Sequence, residues 1–578
     1  MTEADDLRQH YQVVVVGGGP VGSLTALELA RSGIDVLVLE AAQHTTDVPK
    51  AGTIHARSIQ LLTRRGHFAA PDVDAGAVST TFHYAGVWGL EITVPPGEGP
   101  AIAGIGQSDL ERLFTARLIG LGTPVVKAAV VTDVDQVDGG ATVTFTHEGR
   151  TRVVTADWVV GADGARSIVR RTAGFTATET APTAAALLGL AVLDDPANAP
   201  KGWVRTERGW TVLNVNHADF SRIITFDLGG PHEDHRRPLT AEELQETVDR
   251  FAGRPVPFRD ARSLSRFSDY SRLVDDYRLG RVLLVGDAAH VHFPLGGQGL
   301  NLGIGDAIGL GWRLALVARG QADPSVLDVY SRERHACAAG VIANVADQRE
   351  RMRIGVDGDR LRHELGVLLE DRDRNRALGS AISAQSQPAP SALQDAARGD
   401  FAANTVIETD TGITDLIRLH VAAGDRGLLL CEDASESVRA VVEPPWGERV
   451  RLIQARNLGP TTVLVRPDGE VAWSGELGDG SELVARLAET FGGSARPCAV
   501  DECRDSLTAH GRPRCRTNVE PPPEARPARA TDADGRDRAA AVPDPFAGGG
   551  PTRRRASTGW SCSWWPRQIR PAPVSLRA

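Results

Sequence analysis

A chain of 578 residues, of which 42% are apolar, can form several domains with full hydrophobic cores, which excludes a small disulfide-stapled module. Its 74 acidic and 64 basic residues give a net charge of -10, so no global positive field favours binding to nucleic acid or to an anionic membrane. The six cysteines contain no C-x-x-C pair, and no apolar leader precedes the first strand. We therefore expect a cytoplasmic protein without a metal site.

The first predicted element is a βαβ unit over residues 12–40, which begins with four consecutive valines typical of a buried parallel strand. The turn after this strand places Gly17, Gly19 and Gly22 in the order G-x-G-x-x-G, and Glu40 closes the next strand. Glycines at this spacing let a pyrophosphate approach a helix N-terminus, and the carboxylate can bind an adenosine ribose. The unit predicts a dinucleotide site, with FAD and NAD as the alternatives.

Predicted strands dominate the middle of the chain. Residues 125–160 read as strands with Asp138-Gly139-Gly140 as a hairpin turn, and the β-rich pattern continues over residues 178–275. The α/β pattern then returns at residue 281 and continues through helices to about residue 385. The first domain is therefore predicted to be discontinuous, with the β-rich block inserted into it.

The C-terminal part of the chain divides into three stretches. Residues 380–391 are rich in Ala, Ser, Gln and Pro and predict a linker. A third α/β unit follows, with a hairpin at the segment RPDGE and a helix over residues 481–491. From Arg496 onward the sequence has many arginines and prolines and no apolar periodicity, so we expect disorder there.

Two further turns follow predicted strands. The first contains Asp163 and Gly164, and the second contains Asp287 after the strand VLLV. Asp287 could accept a hydrogen bond from a ribityl hydroxyl. Residues 294–299 form a loop with few side chains that leads into a helix, where backbone N–H groups would stabilise an anion on a reduced flavin.

These three turns, in this order, resemble those of the class A FAD-dependent aromatic hydroxylases, which share a p-hydroxybenzoate hydroxylase-like fold. The segments AGTIHARSIQLLTRRG (51–66), GQSDLERLF (106–114) and LDVYSRERHACAAGVI (327–342) are most similar to the aromatic polyketide hydroxylases of actinomycetes. The resemblance implies an α/β fold with a discontinuous Rossmann-like FAD-binding domain, an inserted β-rich substrate domain and a C-terminal thioredoxin-like domain. The implied boundaries are 1–177 and 276–385 for the FAD-binding domain, 178–275 for the substrate domain, 392–495 for the thioredoxin-like domain and 496–578 for the tail.

The resemblance also implies roles for individual residues. Trp88, Trp203, Trp210 and Phe226 are candidates for lining the substrate pocket, while packing in the core is the alternative role for each of them. No residue is assigned as a catalytic base. The residues implied in cofactor binding are Gly17, Gly19, Gly22, Glu40, Arg57, Gln107, Asp163, Gly164, Asp287, Pro294, Gly296, Gly297 and Asn301.

The implied activity is that of an FAD-dependent monooxygenase that consumes NADPH or NADH and hydroxylates a phenolic polycyclic substrate, such as an aromatic polyketide, through a flavin C4a-hydroperoxide. The expected partners are this small aromatic molecule and molecular oxygen, and the third domain is assigned to packing or to a homodimer contact. Antibiotic biosynthesis is the implied setting. Antibiotic inactivation, Baeyer-Villiger oxidation and non-catalytic sequestration of a drug by an FAD-containing protein remain alternatives.

Overall fold

The fold is that of a computed structural model, which describes residues 7–46, 50–70, 78–231, 237–385, 393–478 and 480–493. The tail from residue 496, with its predicted disorder, lies outside the described residues. Residues 386–391 of the predicted linker lie outside them as well.

The described residues between 10 and 268 contain sixteen strands and five α-helices, in two successive groups. Residues 10–172 form β1 (His10–Val16), α1 (Pro20–Arg31), β2 (Val36–Leu39), β3 (Ile54–His55), α2 (Ala56–Arg64), β4 (Val78–Tyr84), β5 (Val87–Val94), β6 (Ile102–Ala103), α3 (Gln107–Gly120), β7 (Val125–Val126), β8 (Val130–Val137), β9 (Gly140–His147), β10 (Arg150–Gly161) and α4 (Ile168–Thr172). The second group, up to residue 268, comprises β11 (Ala177–Thr180), β12 (Ala185–Leu193), β13 (Gly202–Thr206), β14 (Gly209–Asn214), β15 (Ser221–Asp227), α5 (Ala241–Ala252) and β16 (Phe258–Ser268).

The second half is richer in helix. Up to residue 382 its elements are β17 (Ser271–Val274), β18 (Arg278–Leu279), β19 (Val282–Leu284), β20 (His290–Val291), α6 (Gln298–Ala318), α7 (Val326–Met352), α8 (Val356–Glu370) and α9 (Arg372–Ile382). The remaining elements are β21 (Val406–Thr409), β22 (Gly412–Asp415), α10 (Leu416–Ala423), β23 (Gly427–Cys431), α11 (Glu436–Trp446), β24 (Val450–Gln454), β25 (Thr461–Val465), β26 (Val471–Glu476) and α12 (Ser481–Phe491).

The largest sheet, in strand order β18-β19-β10-β1-β2-β7, combines strands from both halves of the chain, so the predicted discontinuous α/β arrangement is confirmed. Strands β19, β10, β1, β2 and β7 run parallel, and β8 and β9 extend the sheet as antiparallel hairpins. The predicted hairpin turn at Asp138-Gly139-Gly140 is confirmed, since Val137 pairs with Gly140. We call this sheet, with the helices α1, α3 and α6, the nucleotide lobe.

The inserted strands form a separate antiparallel sheet in the order β13-β14-β15-β12-β16, and with α5 it is called the sheet lobe. Side chains alternate between its two faces, as expected for a sheet buried on both sides. Ile223 faces a core that contains residues of α5, whereas Trp210 and Phe226 face a second core that includes Phe293. The sheet lobe thus presents an aromatic face toward the chain segment just before residue 294.

Helix α5 is a difference from the prediction, which assigned only β structure to residues 178–275. Its start has a sequence signal that the β-rich pattern obscured: Thr240 is the N-cap, and its hydroxyl accepts a hydrogen bond from the backbone N–H of Glu243. Gly253, at a φ of 71°, ends the helix in the left-handed conformation.

Residues 393–493, which we call the C-terminal lobe, contain a four-stranded sheet in the order β24-β23-β25-β26. The hairpin predicted at RPDGE joins β25 to β26, and the helix predicted over 481–491 is α12, so both are confirmed. Buried polar contacts fix this lobe on the rest of the molecule. Asp468 accepts a hydrogen bond from the indole of Trp312 at 3.0 Å, while Arg64 pairs with Glu98 and donates to the carbonyl of Ala402 at 2.6 Å.

One helical segment among the described residues, Leu295–Ala318, is long and apolar enough to cross a membrane by length and composition. Of its apolar window, 83% is buried inside the protein, which is typical of a core helix. The segment corresponds to α6 and the turn before it, which pack against α1 and α7.

Candidate active site

The three turns predicted to carry the chemistry leave the central sheet at one edge. Val16 pairs with Leu39 on one side and with Gly161 on the other, and Gly161 pairs with Leu284. The residues after each of these positions therefore lie at the carboxyl ends of neighbouring parallel strands. Ligands of open α/β sheets bind at this edge.

The glycines of the first turn serve two different purposes, which are close packing and open space for a ligand. A Cβ on Gly17 would lie 2.4 Å from the carbonyl oxygen of Ala162, and a Cβ on Gly22 would lie 1.9 Å from the carbonyl oxygen of Gly17. These two positions are dictated by packing, and Gly17 also has a φ of 103°. A Cβ on Gly19, in contrast, would meet no atom within 4 Å. Gly19 opens the N-terminus of α1, where free backbone N–H groups and the helix dipole attract an anion.

Glu40 lies at the same edge, directly after β2, and is half-buried. Its carboxylate accepts hydrogen bonds from the backbone N–H of Gly18 and, at 2.7 Å, from that of Ala42. The side chain thus braces the glycine turn from the neighbouring strand. A role of Glu40 in binding a ribose remains a prediction.

The second turn follows β10 and contains Asp163 and Gly164. One carboxylate oxygen of Asp163 accepts hydrogen bonds from the N–H groups of Ile168 and Val169, at 2.6 and 3.2 Å. The other oxygen is buried and has no partner among the described residues, and burial raises the pKa of this carboxyl group. Gly164 has a φ of 78°, and a Cβ there would meet no atom within 4 Å. The turn therefore combines an unsatisfied buried oxygen with open space.

The third turn is held in place by Asp306, a fully buried residue of α6. Its carboxylate accepts hydrogen bonds from the N–H of Gly286 at 2.9 Å and from Arg334 at 2.7 Å, and it lies 2.7 Å from the imidazole of His290. Burial opposes its ionisation, but Arg334 and His290 outweigh this effect and lower the pKa of Asp306. Asp287, the predicted ribityl-binding residue, is exposed at the tip of this turn.

The loop between β20 and α6 is connected to β3 by side-chain hydrogen bonds. The amide of Asn301 accepts from the backbone N–H of His55 at 2.8 Å and donates to the carbonyls of Thr53 and Gly297. A ring nitrogen of His55 lies 2.7 Å from the carbonyl oxygen of Gly296. Gly296 and Gly297 have φ values of 71° and 67°, so the backbone doubles back as only glycine readily allows. Asn301 thus shapes the loop that was predicted to face the flavin ring.

The predicted pocket aromatics meet in one cluster beside this loop. Trp203 and Phe226 are stacked, with centroids 5.6 Å apart and an interplanar angle of 5°, and Phe226 contacts Phe293 at 5.4 Å. Phe293 immediately precedes Pro294, which is exposed at the loop. Trp210 packs edge-on against Trp203 and is 1% exposed, with its indole N–H bonded to a backbone carbonyl. Phe226 therefore lies next to Phe293 at the start of the loop, Trp203 stacks on Phe226, and Trp210 is buried in the core.

Trp88, the remaining aromatic candidate, is 55% exposed. It reaches the cluster only through His83, whose ring lies 5.8 Å from that of Trp88 and 4.6 Å from that of Trp203. The structure thus places Trp88 at the outer rim of the cluster.

Arg57 and Gln107 make their contacts with residues outside the glycine turns. The guanidinium of Arg57 donates to the carbonyl of Ala384 at 3.0 Å and lies 3.5 Å from the ring centroid of Phe401 in the C-terminal lobe. Gln107 is the first residue of α3, and its N–H bonds to the carbonyl of Ala51. Their predicted contacts with a flavin or its phosphates remain predictions.

The residues at this edge fit the predicted dinucleotide cofactor on three observations. Gly19 leaves open space at a helix N-terminus, Gly164 leaves open space at the second turn, and Asp163 carries a buried oxygen for which the described residues provide no partner. Within the described part of the chain, no group of three or more His, Cys, Asp or Glu residues could hold a metal ion.

Sequence reasoning did not identify Asp306, His55 and His83 as site residues. Asp306 had a signal, because an acidic residue in the middle of a strongly apolar helix requires buried partners. His55 and His83 are ordinary strand residues in the sequence, and only the fold brings them to the loop and to the aromatic cluster.

Family comparisons cover most of the chain. Residues 10–345 match the model of an FAD binding domain, and residues 395–494 match that of the C-terminal domain of aromatic-ring hydroxylases. A 12-dehydrotetracycline 5-monooxygenase/anhydrotetracycline 6-monooxygenase of Streptomyces rimosus is 32% identical over 505 residues, which cover 84% of this chain and 99% of that protein.

Two further matches cover the same share of this chain. A dialkyldecalin synthase of Streptomyces rugosporus is 34% identical over 487 residues, which cover 84% of this chain and 99% of that protein. The solved structure of an anhydrotetracycline hydroxylase from Streptomyces rimosus matches with a TM-score of 0.74 and 31% identity, over 84% of this chain and 99% of that one.

Proposed function

Because this chain belongs to the FAD-dependent aromatic-ring hydroxylases, we propose that it hydroxylates a phenolic polycyclic molecule of the aromatic polyketide type. It is an FAD-dependent monooxygenase that uses NAD(P)H and acts on small aromatic molecules. The proposal concerns the class of substrate, the residues that hold substrate and cofactor, and a setting in antibiotic biosynthesis.

The observation that carries the proposal is the stacked aromatic face of the sheet lobe against the loop at residue 294. The Trp203 and Phe226 rings, with Phe293, form an apolar cluster of aromatic side chains beside this loop, and such side chains typically line sites for flat apolar ligands. A single-ring substrate would contact fewer of these rings. The relatives that are named for tetracycline substrates also support a polycyclic substrate, because tetracyclines are polycyclic.

The proposed cofactor contacts follow the geometry of the three turns. Backbone N–H groups at the start of α1, next to Gly19, would hold the diphosphate, with Glu40 and Asp163 as further polar groups at this edge. Asp287 would accept a hydrogen bond from the ribityl chain, and the loop of residues 294–297 would face the flavin ring. When bound, FAD supplies electron transfer from NAD(P)H and the activation of oxygen.

The remaining task of the protein is to orient the substrate and to keep water out. The aromatic cluster contributes to both, since Phe226 and Phe293 are 3% and 1% exposed. A dry site prevents activated oxygen from being lost as hydrogen peroxide, so tight coupling of NAD(P)H use to product is expected with the correct substrate.

The proposal is tested by an anaerobic titration of the purified protein with NADPH and NADH in the presence of phenolic polycycles. Flavin reduction is followed near the usual absorbance band at about 450 nm. We expect a phenolic polycycle to accelerate reduction, and admission of oxygen to give a product with one added oxygen atom. NMR of that product distinguishes a ring hydroxyl from a Baeyer-Villiger lactone.

Other results would replace the proposed substrate class. Faster reduction with single-ring phenols alone would overturn a polycyclic substrate. Binding of a polycycle without faster reduction would favour sequestration. Conversion of a polycycle without NAD(P)H or oxygen would indicate non-oxidative chemistry on it.

A further inference from the structure

His83 is a buried polar side chain at the edge of the aromatic cluster, in contact with Trp203. We propose that His83 binds the phenolic hydroxyl of the substrate and so positions the ring to be oxygenated, an inference that rests on the proposed function. No role was assigned to this residue by its sequence pattern.

Aromatic side chains enclose the His83 ring, and one of its two nitrogen atoms has no hydrogen-bond partner within the described part of the chain. His83 is the last residue but one of β4 and is 8% exposed, and its ring packs against Phe82 at 4.4 Å and Trp203 at 4.6 Å. Its Nδ1 atom is buried and has no hydrogen-bond partner among the described residues. Buried polar atoms in folded proteins are nearly always satisfied, so each exception requires an explanation. A ligand hydroxyl in the cluster would provide the missing partner.

Two series of side-chain contacts connect His83 to the loop of residues 294–297. On one side, Phe82 also contacts His55, whose ring lies 2.7 Å from the carbonyl of Gly296 in the loop. On the other side, Trp203 stacks on Phe226, which leads through Phe293 to the same loop. A phenol held by His83 would therefore lie within the cluster that borders residues 294–297.

The charge state of the ring suits a phenol. Burial, with a smaller contribution from His55, lowers the pKa of His83 to about 3, so the imidazole is neutral near pH 7. A neutral imidazole has one acceptor and one donor nitrogen. It can accept the hydrogen bond of a phenol, or donate to the oxygen of a phenolate, which is the more nucleophilic form of the ring.

The experiment compares two probes of nearly equal shape, 2-hydroxyanthraquinone and 2-methylanthraquinone. Each is titrated into the FAD-loaded protein, and binding is followed through the flavin absorbance. The parent should bind the hydroxyl probe at least about tenfold more tightly, since one hydrogen bond is gained. In His83→Phe this preference should fall to about twofold or less, through weaker binding of the hydroxyl probe. His363→Gln, on the exposed side of α8, is the matched control and should keep the parent's preference.

A stability measurement separates binding from a structural role. If His83 binds the substrate, its unsatisfied nitrogen destabilises the ligand-free protein. His83→Phe should then melt at the same temperature as the parent or at a higher one. A lower melting temperature would indicate that His83 supports the fold.

The outcomes distinguish this inference from the proposed function. Binding of both probes with equal affinity by the parent, or an unchanged preference in His83→Phe, overturns the role of His83 and leaves the hydroxylase proposal standing. Failure of the parent to bind either probe counts against a polycyclic substrate, and the inference falls with it.

Discussion

The clearest test of the cofactor site replaces Gly19 with alanine. Gly19 has φ and ψ values of -66° and -179°, which alanine adopts without strain, and the added methyl would meet no atom within 4 Å. The folded protein should therefore be as stable as the parent, or more stable by about 0.4–1 kcal/mol because alanine restricts the unfolded chain.

The methyl group of Gly19→Ala would instead occupy the space in front of the α1 N–H groups. A diphosphate held there would lose at least one charge-assisted hydrogen bond, a loss of about 1.5–3 kcal/mol. The dissociation constant of FAD should therefore rise about 10- to 100-fold. The assay is titration of the apoprotein with FAD by flavin fluorescence, together with a melting curve of the apoprotein.

Two companion variants give this test its controls. In Gly22→Ala the new Cβ would lie 1.9 Å from the carbonyl oxygen of Gly17, so the turn cannot keep its shape and the apoprotein itself should be destabilised. Gly120→Ala, at the exposed end of α3 and also in open space, should leave FAD affinity unchanged and should stabilise the fold by a similar amount, about 0.4–1 kcal/mol. Unchanged FAD affinity in a folded Gly19→Ala would refute the placement of the diphosphate at this turn.

Three further predictions concern single carboxylates. Asp287→Ala should retain FAD less well during dialysis, while the melting temperature of its apoprotein stays that of the parent apoprotein; retention equal to that of the parent would reject the ribityl contact. Burial opposes ionisation of Glu28, but Arg65 and neighbouring cations outweigh it and lower its pKa from 4.5 to about 2, so its ionised form stabilises the fold by about 3 kcal/mol above pH 4.5. This stability should be lost as the pH falls from 4.5 toward 2, and urea unfolding should show a flatter acid limb in Glu28→Gln. Asp468→Asn removes the 2.6 Å carboxylate partner of buried Arg466, which then has Glu333 and Glu470 as its remaining acidic partners among the described residues. Limited proteolysis should therefore cut the C-terminal lobe first, and parent-like resistance would contradict this.

The features that could be predicted from the sequence are local features of the backbone. The spacing of Gly17, Gly19 and Gly22, the hairpin at Gly139 and the helix over 481–491 each depend on the backbone needs of a few consecutive residues, and the structure has all of them. The sequence also indicated which strands precede the functional turns, although their common edge follows from the sheet register alone.

Tertiary contacts explain what was missed. His83 reads as one polar residue in an alternating strand, and it becomes informative only because Trp203, 120 positions later, packs on its ring. The four tryptophan and phenylalanine candidates were indistinguishable in the sequence. The fold separates them, since Trp88 is 55% exposed while Trp210 is 1% exposed with its N–H satisfied. Such differences depend on residues that are distant in the chain, so no local pattern contains them.

Helix α6 connects the lobes to the loop that borders the predicted flavin site. Its first turn carries Asn301, which shapes the loop, and its middle carries Asp306, which holds the third turn. Two turns further on, Trp312 donates to Asp468 of the C-terminal lobe, about 21 Å along the helix from its first residue. A buried helix moves as a rigid body, because each of its turns is packed on several sides. Both the nucleotide lobe and the C-terminal lobe therefore determine the position of the loop. This explains why ion pairs that are costly to desolvate are buried at the contact between α6 and the C-terminal lobe, far from the predicted flavin site.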